Sequence, residues 1–287
     1  MHDFYAHSRP VPLDQADGLR RMFAGRQHRV LPLVANPYVP FSGVVLDRLS
    51  AVLSCGLSTE LSNVLPAVLP AVLPFPGCQV LVVDASSASP PPHEMAALDL
   101  SAGIEGVSPR VAYLPAGGLP MAYVDTRGSA GGFIDAVQRA APQAELILLH
   151  ADAPDLARIF KRRAARPLLI GSDHPDSIKH AYAGAKLLAQ RCTLLSFDLL
   201  LAAAPQSPRA ASIAQSLAGC IETFLGGVLC HTALIDPAGD PAAPPDTTLA
   251  ALLAAQLALD ELADAAAAYP FQTATRSTPA TARPAFR

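Results

Sequence analysis

Runs of β-branched residues and leucine alternate along this chain with stretches of helical period, and that alternation constrains the fold more than any other feature. The apolar runs fall at 29–35, 79–83, 145–150, 167–171, 193–200 and 228–234, with a further one near 111–114. Helical periodicity occupies 44–55, 130–141, 154–164, 175–190 and 208–225 between them. A strand followed by a helix followed by another strand is the pattern of a parallel sheet with crossover helices. The expected fold class is therefore α/β, a doubly wound and mostly parallel sheet. Pro32 sits inside the first run, where its missing N–H would remove a ladder bond from a central strand.

Composition narrows the functional classes. The 287 residues are 51% hydrophobic, enough for a substantial core, and the net charge is −3. A nucleic-acid binder concentrates basic charge, so direct nucleic-acid binding is not expected. The five cysteines are scattered, with no close pair to suggest a zinc site or a disulfide framework, which suits a cytoplasmic protein. The first fifteen residues carry charges and prolines where a secretion signal needs an apolar stretch.

The α/β region is expected to span 28–236, after an N-terminal arm at 1–27. Within it, residues 63–74 read NVLPAVLPAVLP, a four-residue unit repeated in tandem. Each proline would cost about 3 kcal/mol inside a helix, so a surface insertion near 58–77 is expected. It is also too short and too interrupted to cross a bilayer. A linker and an alanine-rich helix are expected over 237–268, then a disordered tail over 269–287. Asp260, Glu261 and Asp264 make that helix acidic, unlike a membrane-binding amphipathic helix, so membrane contact is expected only through a partner.

In an open parallel sheet, ligands bind beyond the carboxyl ends of the strands. The first such loop is Asn36-Pro37-Tyr38-Val39-Pro40-Phe41-Ser42-Gly43. A phosphate cradle there needs glycines, a lysine for the β and γ phosphates and a hydroxyl for magnesium. The flanking strand and helix put Gly43 where the lysine belongs and Val44 where the hydroxyl belongs. Two prolines also remove N–H groups from the loop. The second strand ends in Asp84-Ala85-Ser86, and His150 follows Glu145 to Leu149, where an acid for a magnesium-bound water is expected. No HExxH zinc motif and no GxSxG nucleophile elbow occurs.

Three segments carry a family resemblance. Residues 172–183, SDHPDSIKHAYA, resemble the TTPEPTSITDAYA stretch that follows a core strand in MinD-type ATPases. The segment Asp84-Ala85-Ser86 resembles the end of their VDAD motif, with Asp84 matching the first acid and Ser86 replacing the second. Ala202-Ala203-Ala204 stand where relatives read adenine with an asparagine. The third segment is Asp14-Gln15-Ala16-Asp17-Gly18-Leu19-Arg20, which resembles the DQAxxLR motif ahead of the ATPase fold in FlhG/FleN flagellum-number regulators.

That resemblance implies a regulator of flagellar number and placement with a degenerate ATPase site. In the family the motif stimulates the signal-recognition-type GTPase FlhF through its glutamine. Asp14 is a good helix N-cap, and the helix it opens would carry Gln15 and Leu19 one turn apart, with Arg20 beside them. A glutamine so placed can orient the attacking water in a partner's GTP site. The implied partners are an FlhF-type GTPase, flagellar switch or transcription regulators, and a second copy in a homodimer. Recruitment to the inner membrane or cell pole would follow from such partners. No cofactor is expected. Two alternatives stand beside this reading: a working MinD-type ATPase that binds ATP and magnesium in an unconventional cradle, and a MinD-class partition or polysaccharide-secretion accessory protein.

Overall fold

The computed structural model describes residues 28–56, 77–240 and 245–268, with side chains as far as residue 258. The N-terminal arm, including Asp14, Gln15, Leu19 and Arg20, lies outside the described residues, as do the VLPA repeat and the C-terminal tail.

The strands are β1 (Arg29–Val34), β2 (Val80–Asp84), β3 (Glu105–Ser108), β4 (Val111–Pro115), β5 (Leu146–Ala151), β6 (Leu168–Ser172), β7 (Ser196–Ala202) and β8 (Val228–Ile235). They form one sheet in the order β3-β4-β2-β5-β1-β6-β7-β8, antiparallel only between β3 and β4. The helices are α1 (Ser42–Cys55), α2 (Leu119–Ala122), α3 (Gly132–Ala140), α4 (Ala153–Ile159), α5 (Pro175–Cys192), α6 (Ala210–Leu225) and α7 (Thr247–Ala268). This is the doubly wound, mostly parallel α/β architecture that the alternation implies.

Helices cover both faces, so the central strands are apolar on both sides, as buried parallel strands must be. Val80 and Val82 of β2, with Leu146 and Leu148 of β5, pack under Val45, Leu49 and Leu53 of α1. Leu249, Leu252 and Leu253 of α7 extend the same layer. The alternate residues Leu81, Val83, Ile147 and Leu149 turn to the other face, against Phe133, Ile134 and Val137 of α3 and Leu156 of α4. Leu188 of α5 and Leu217 and Ile221 of α6 complete that layer.

Three local details differ from what the sequence suggests. Pro32 does lie in a central strand, yet no ladder bond is lost. The Arg29 and Ala35 N–H groups both donate toward β5, so by alternation the Pro32 position faces β6. Pairing with β6 begins only at Leu33, opposite Leu168. Strand β3 has no counterpart among the apolar runs, because all four of its residues are exposed and leave no burial pattern to read. Helix α4 stops at Ile159, short of 164, where the basic run Lys161-Arg162-Arg163 offers nothing to bury.

Among the described residues, no helix is long and apolar enough to cross a membrane.

Candidate functional site

The carboxyl ends of β2, β4 and β5 converge on one polar group. Asp84 and His150 are cross-strand neighbours in the β2–β5 register. With a period of two, they point to the same face as Val82 and Leu148, the face that α1 covers. His150 Nδ1 lies 2.8 Å from Asp84 Oδ1, and the two residues are only 3% and 8% exposed. The Tyr113 hydroxyl, on the same face of β4, donates to Asp84 Oδ2 at 3.3 Å, and the Ser86 N–H reaches Oδ1 at 3.4 Å.

Burial alone would push the Asp84 carboxyl up. The hydrogen bond and charge of His150, together with Ser86, outweigh burial and hold its pKa below the ordinary carboxylate value. Asp84 is therefore an ionised acceptor, so His150 Nδ1 must be the donor. Burial and the charge of Asp84 push the Tyr113 phenol up, which keeps it protonated as a donor. The remaining His150 nitrogen, Nε2, is buried without a hydrogen-bond partner among the described residues.

A lowered carboxylate pKa in the fold contributes stability that is present above the unfolded value of about 3.9 and lost as pH falls through the folded value. Urea unfolding of the wild type against Asp84→Asn should give a stability difference that holds near neutral pH and shrinks below about pH 4. A difference that grows on acidification would contradict this assignment.

The loop from β1 to α1 is closed by its own groups. Asn36 is 4% exposed. Its Nδ2 donates to Ile170 O at 2.8 Å, Ser177 O at 2.9 Å and Ser177 Oγ at 3.0 Å. Its Oδ1 accepts from the Tyr38 N–H at 3.1 Å. The Ser177 hydroxyl in turn accepts from the Ser172 N–H at 2.9 Å. The loop is thus tied to β6 and the first turn of α5. Val39 is buried, whereas Phe41 is 70% exposed and held in the left-handed region at φ 62°. That backbone region is uncommon for a non-glycine residue.

The side chains at this edge do not fit a magnesium–nucleotide group. Gly43 is exposed with open space around it, and Val44 presents an apolar side chain, so neither a phosphate-binding amine nor a magnesium-binding hydroxyl is supplied there. Both Asp84 oxygens are engaged by side chains of the protein itself. Ser86 is buried and carries no carboxylate. His150 offers a nitrogen lone pair, while magnesium selects oxygen ligands. Asp152, the acid nearest in sequence to His150, is engaged by the Ser87 N–H at 2.9 Å.

The structure brings Asp84, Ser86 and His150 together at one edge and sets Gly43 and Val44 at the start of α1 on the same face. Among the described residues, no group of three or more His, Cys, Asp or Glu side chains could hold a metal ion. The sequence points to the loop that Asn36 opens but assigns Asn36 itself no role, and it does not single out Tyr113. The Asn36-Pro37 step hints at a turn, but the three acceptors of Asn36 belong to residues more than a hundred positions away. A second polar cluster went equally unread. Asp198, fully buried in β7, lies 2.9 Å from Arg166 Nε and accepts from Gln256 Nε2 of α7 at 2.6 Å and from the His231 N–H of β8 at 2.9 Å.

Fold and site together define a doubly wound α/β protein whose sheet is closed at its carboxyl edge by a buried Asp–His pair and a self-tied loop. Among solved structures, the chain is similar to a ParA family ATPase from Chlorobium tepidum, with 14% identity over 81% of this chain and 99% of that one, at a TM-score of 0.46. It is similar to the cell division ATPase MinD of Pyrococcus furiosus, with 14% identity over 82% and 100% of the two chains and a TM-score of 0.43. A plasmid partition protein of Borrelia burgdorferi bound to AMPPNP gives 7% identity, 82% and 99% coverage and a TM-score of 0.48. No residue role follows from these likenesses. No protein-family model matches the sequence, and no curated protein matches it.

Proposed function

We propose that this protein is a nucleotide-independent regulator of flagellar biosynthesis of the FlhG/FleN kind, built on a ParA/MinD-like scaffold and acting on an FlhF-type GTPase. The observation that carries the nucleotide-independent part is the edge of the sheet: Asp84 is spent on His150 and Tyr113, and Gly43 and Val44 lack the groups that grip phosphate and magnesium. The partner part rests on the sequence Asp14 to Arg20 alone. In this reading Gln15 orients the attacking water in the partner's GTP site, Leu19 provides an apolar anchor and Arg20 an electrostatic contact.

Two measurements on the full chain test the two parts separately. Titration with ATP and magnesium should produce no saturable heat and no rise in unfolding temperature, since only a ligand that binds the native state stabilises it. Saturable binding would restore the ATPase alternative. Purified FlhF-type GTPase should hydrolyse GTP faster when the protein is added, and Gln15→Ala should return turnover to the basal rate. Full stimulation by Gln15→Ala, or none by the wild type, rejects the partner assignment and leaves the nucleotide result standing.

A further inference from the structure

Among the described residues, the non-glycine positions with positive φ are Phe41 at 62° and Thr193 at 56°. Thr193 closes helix α5, where the left-handed conformation is a common helix ending. Phe41 instead precedes helix α1, at a position that is normally extended, and its side chain makes no cap. Packing does not explain the conformation either, since Phe41 is 70% exposed. Left-handed backbone on a bulky residue costs free energy, and such outliers gather at binding and switch sites.

The rest of the loop is fixed. Val39 packs into the layer beneath α1, and Asn36 ties the backbone to β6 and α5. The Ser172 hydroxyl donates to Tyr38 O at 3.3 Å. The Tyr38 ring meets His180 edge-on, with 5.9 Å between centroids. Pro37 and Pro40 remove backbone freedom on either side of Tyr38. With Val39 turned inward, the loop and the start of α1 leave Tyr38, Phe41 and Val44 exposed. Apolar and aromatic side chains held in place before contact lose little entropy on binding, and aromatic residues are favoured interface anchors.

Exposed carboxylates flank these side chains. Asp47 lies one turn beyond Val44 on α1, and Asp173 follows Ser172. The complement of such a surface is an apolar pocket with a basic rim, whereas an anionic lipid surface would be repelled.

We infer that Tyr38, Phe41 and Val44 form a second docking point for the partner GTPase, received by an apolar, basic-rimmed pocket on that partner. For the identity of the partner, this rests on the function proposed above. A motif as short as Asp14 to Arg20 buries little area, and a second contact on the same chain makes the first effectively intramolecular and raises the overall affinity. The distances allow both contacts at once. The roughly 12 residues between Gln15 and His28 reach at most about 40 Å, and β1 carries the chain about 20 Å from the arm to the loop.

Titration of the full chain against a purified FlhF-type GTPase, read by calorimetric binding and by GTP turnover, tests the inference. Phe41→Gly and Tyr38→Ala should each weaken binding about tenfold or more, the effect of roughly 1.4 kcal/mol, and keep the stimulated rate at saturation. Gln15→Ala should do the reverse, keeping most of the binding and losing the rate. Phe41→Gly should also unfold at the same or a higher urea concentration than the wild type, because glycine adopts φ 62° without strain. Weaker binding by a protein that is no less stable separates docking from folding. Unchanged binding in both aromatic variants overturns the inference and leaves the proposed function standing. A markedly less stable Phe41→Gly variant overturns it as well, since Phe41 would then serve the fold. Absence of binding and stimulation by the wild type removes the proposed function, and this inference with it.

Discussion

Asp198→Ala should lower the stability of the protein by about 3–5 kcal/mol, the usual result of stripping one partner from a buried ion pair. Asp198 is fully buried, and the Arg166 side chain against it is only 11% exposed. The carboxylate also receives Gln256 Nε2 from α7 and the N–H of His231 from β8. Alanine would leave the guanidinium without a counter-charge, free the Gln256 amide and remove the acceptor of the His231 N–H. Gln256 donates to the Arg166 carbonyl as well, at 3.0 Å, so this cluster fixes where α7 sits on the sheet. Urea unfolding measures the loss. Replacing all three of Arg166, Asp198 and Gln256 by apolar residues of similar size should cost much less than Asp198→Ala, because the desolvation of the charges disappears with them. A loss below about 1 kcal/mol for Asp198→Ala would show that the ion pair does not hold these elements together.

The second large effect is expected at the candidate site. His150→Ala deletes the donor that holds Asp84 ionised in a buried place, and Asp84→Ala leaves the His150 Nδ1–H and the Tyr113 hydroxyl without an acceptor. Each single change should cost about 1–3 kcal/mol, the penalty of a buried polar group left unmade. The double change should cost less than the sum of the two, since the second removal finds the partner already gone. The same variants separate structure from chemistry. If the pair only fills the edge of the sheet, the folded double variant should match the wild type in the GTPase assay that tests the proposed function. A loss in that assay beyond what the unfolded fraction explains would give His150 or Asp84 a role besides structure.

The difference between the polar clusters and the core shows what a linear reading can reach. The valine and leucine runs of β2 and β5 announce buried strands because burial on both faces demands an apolar residue at every position. Strand β3 escapes because its residues are exposed and are held only by antiparallel pairing to β4. Position alone brings Asp84 and His150 under suspicion, since each lies at the carboxyl end of a strand, the edge where ligands bind in such folds. Their contact is another matter. The two residues are 66 positions apart and meet because β2 and β5 are neighbours in register.

The sequence by itself determined the α/β class, the two apolar faces of the sheet and the lack of a lysine at Gly43 and of a hydroxyl at Val44, because each of these is a property of residues close together in the chain. Only the tertiary structure decided that Asp84 is bound to His150 and Tyr113, that Asn36 closes the β1 loop onto β6 and α5, that Pro32 loses no ladder bond, and that Asp198 of β7 meets Arg166, Gln256 and His231. Those facts depend on which strands lie side by side. Strand order is settled by how the helices pack over the whole sheet, which no local pattern encodes.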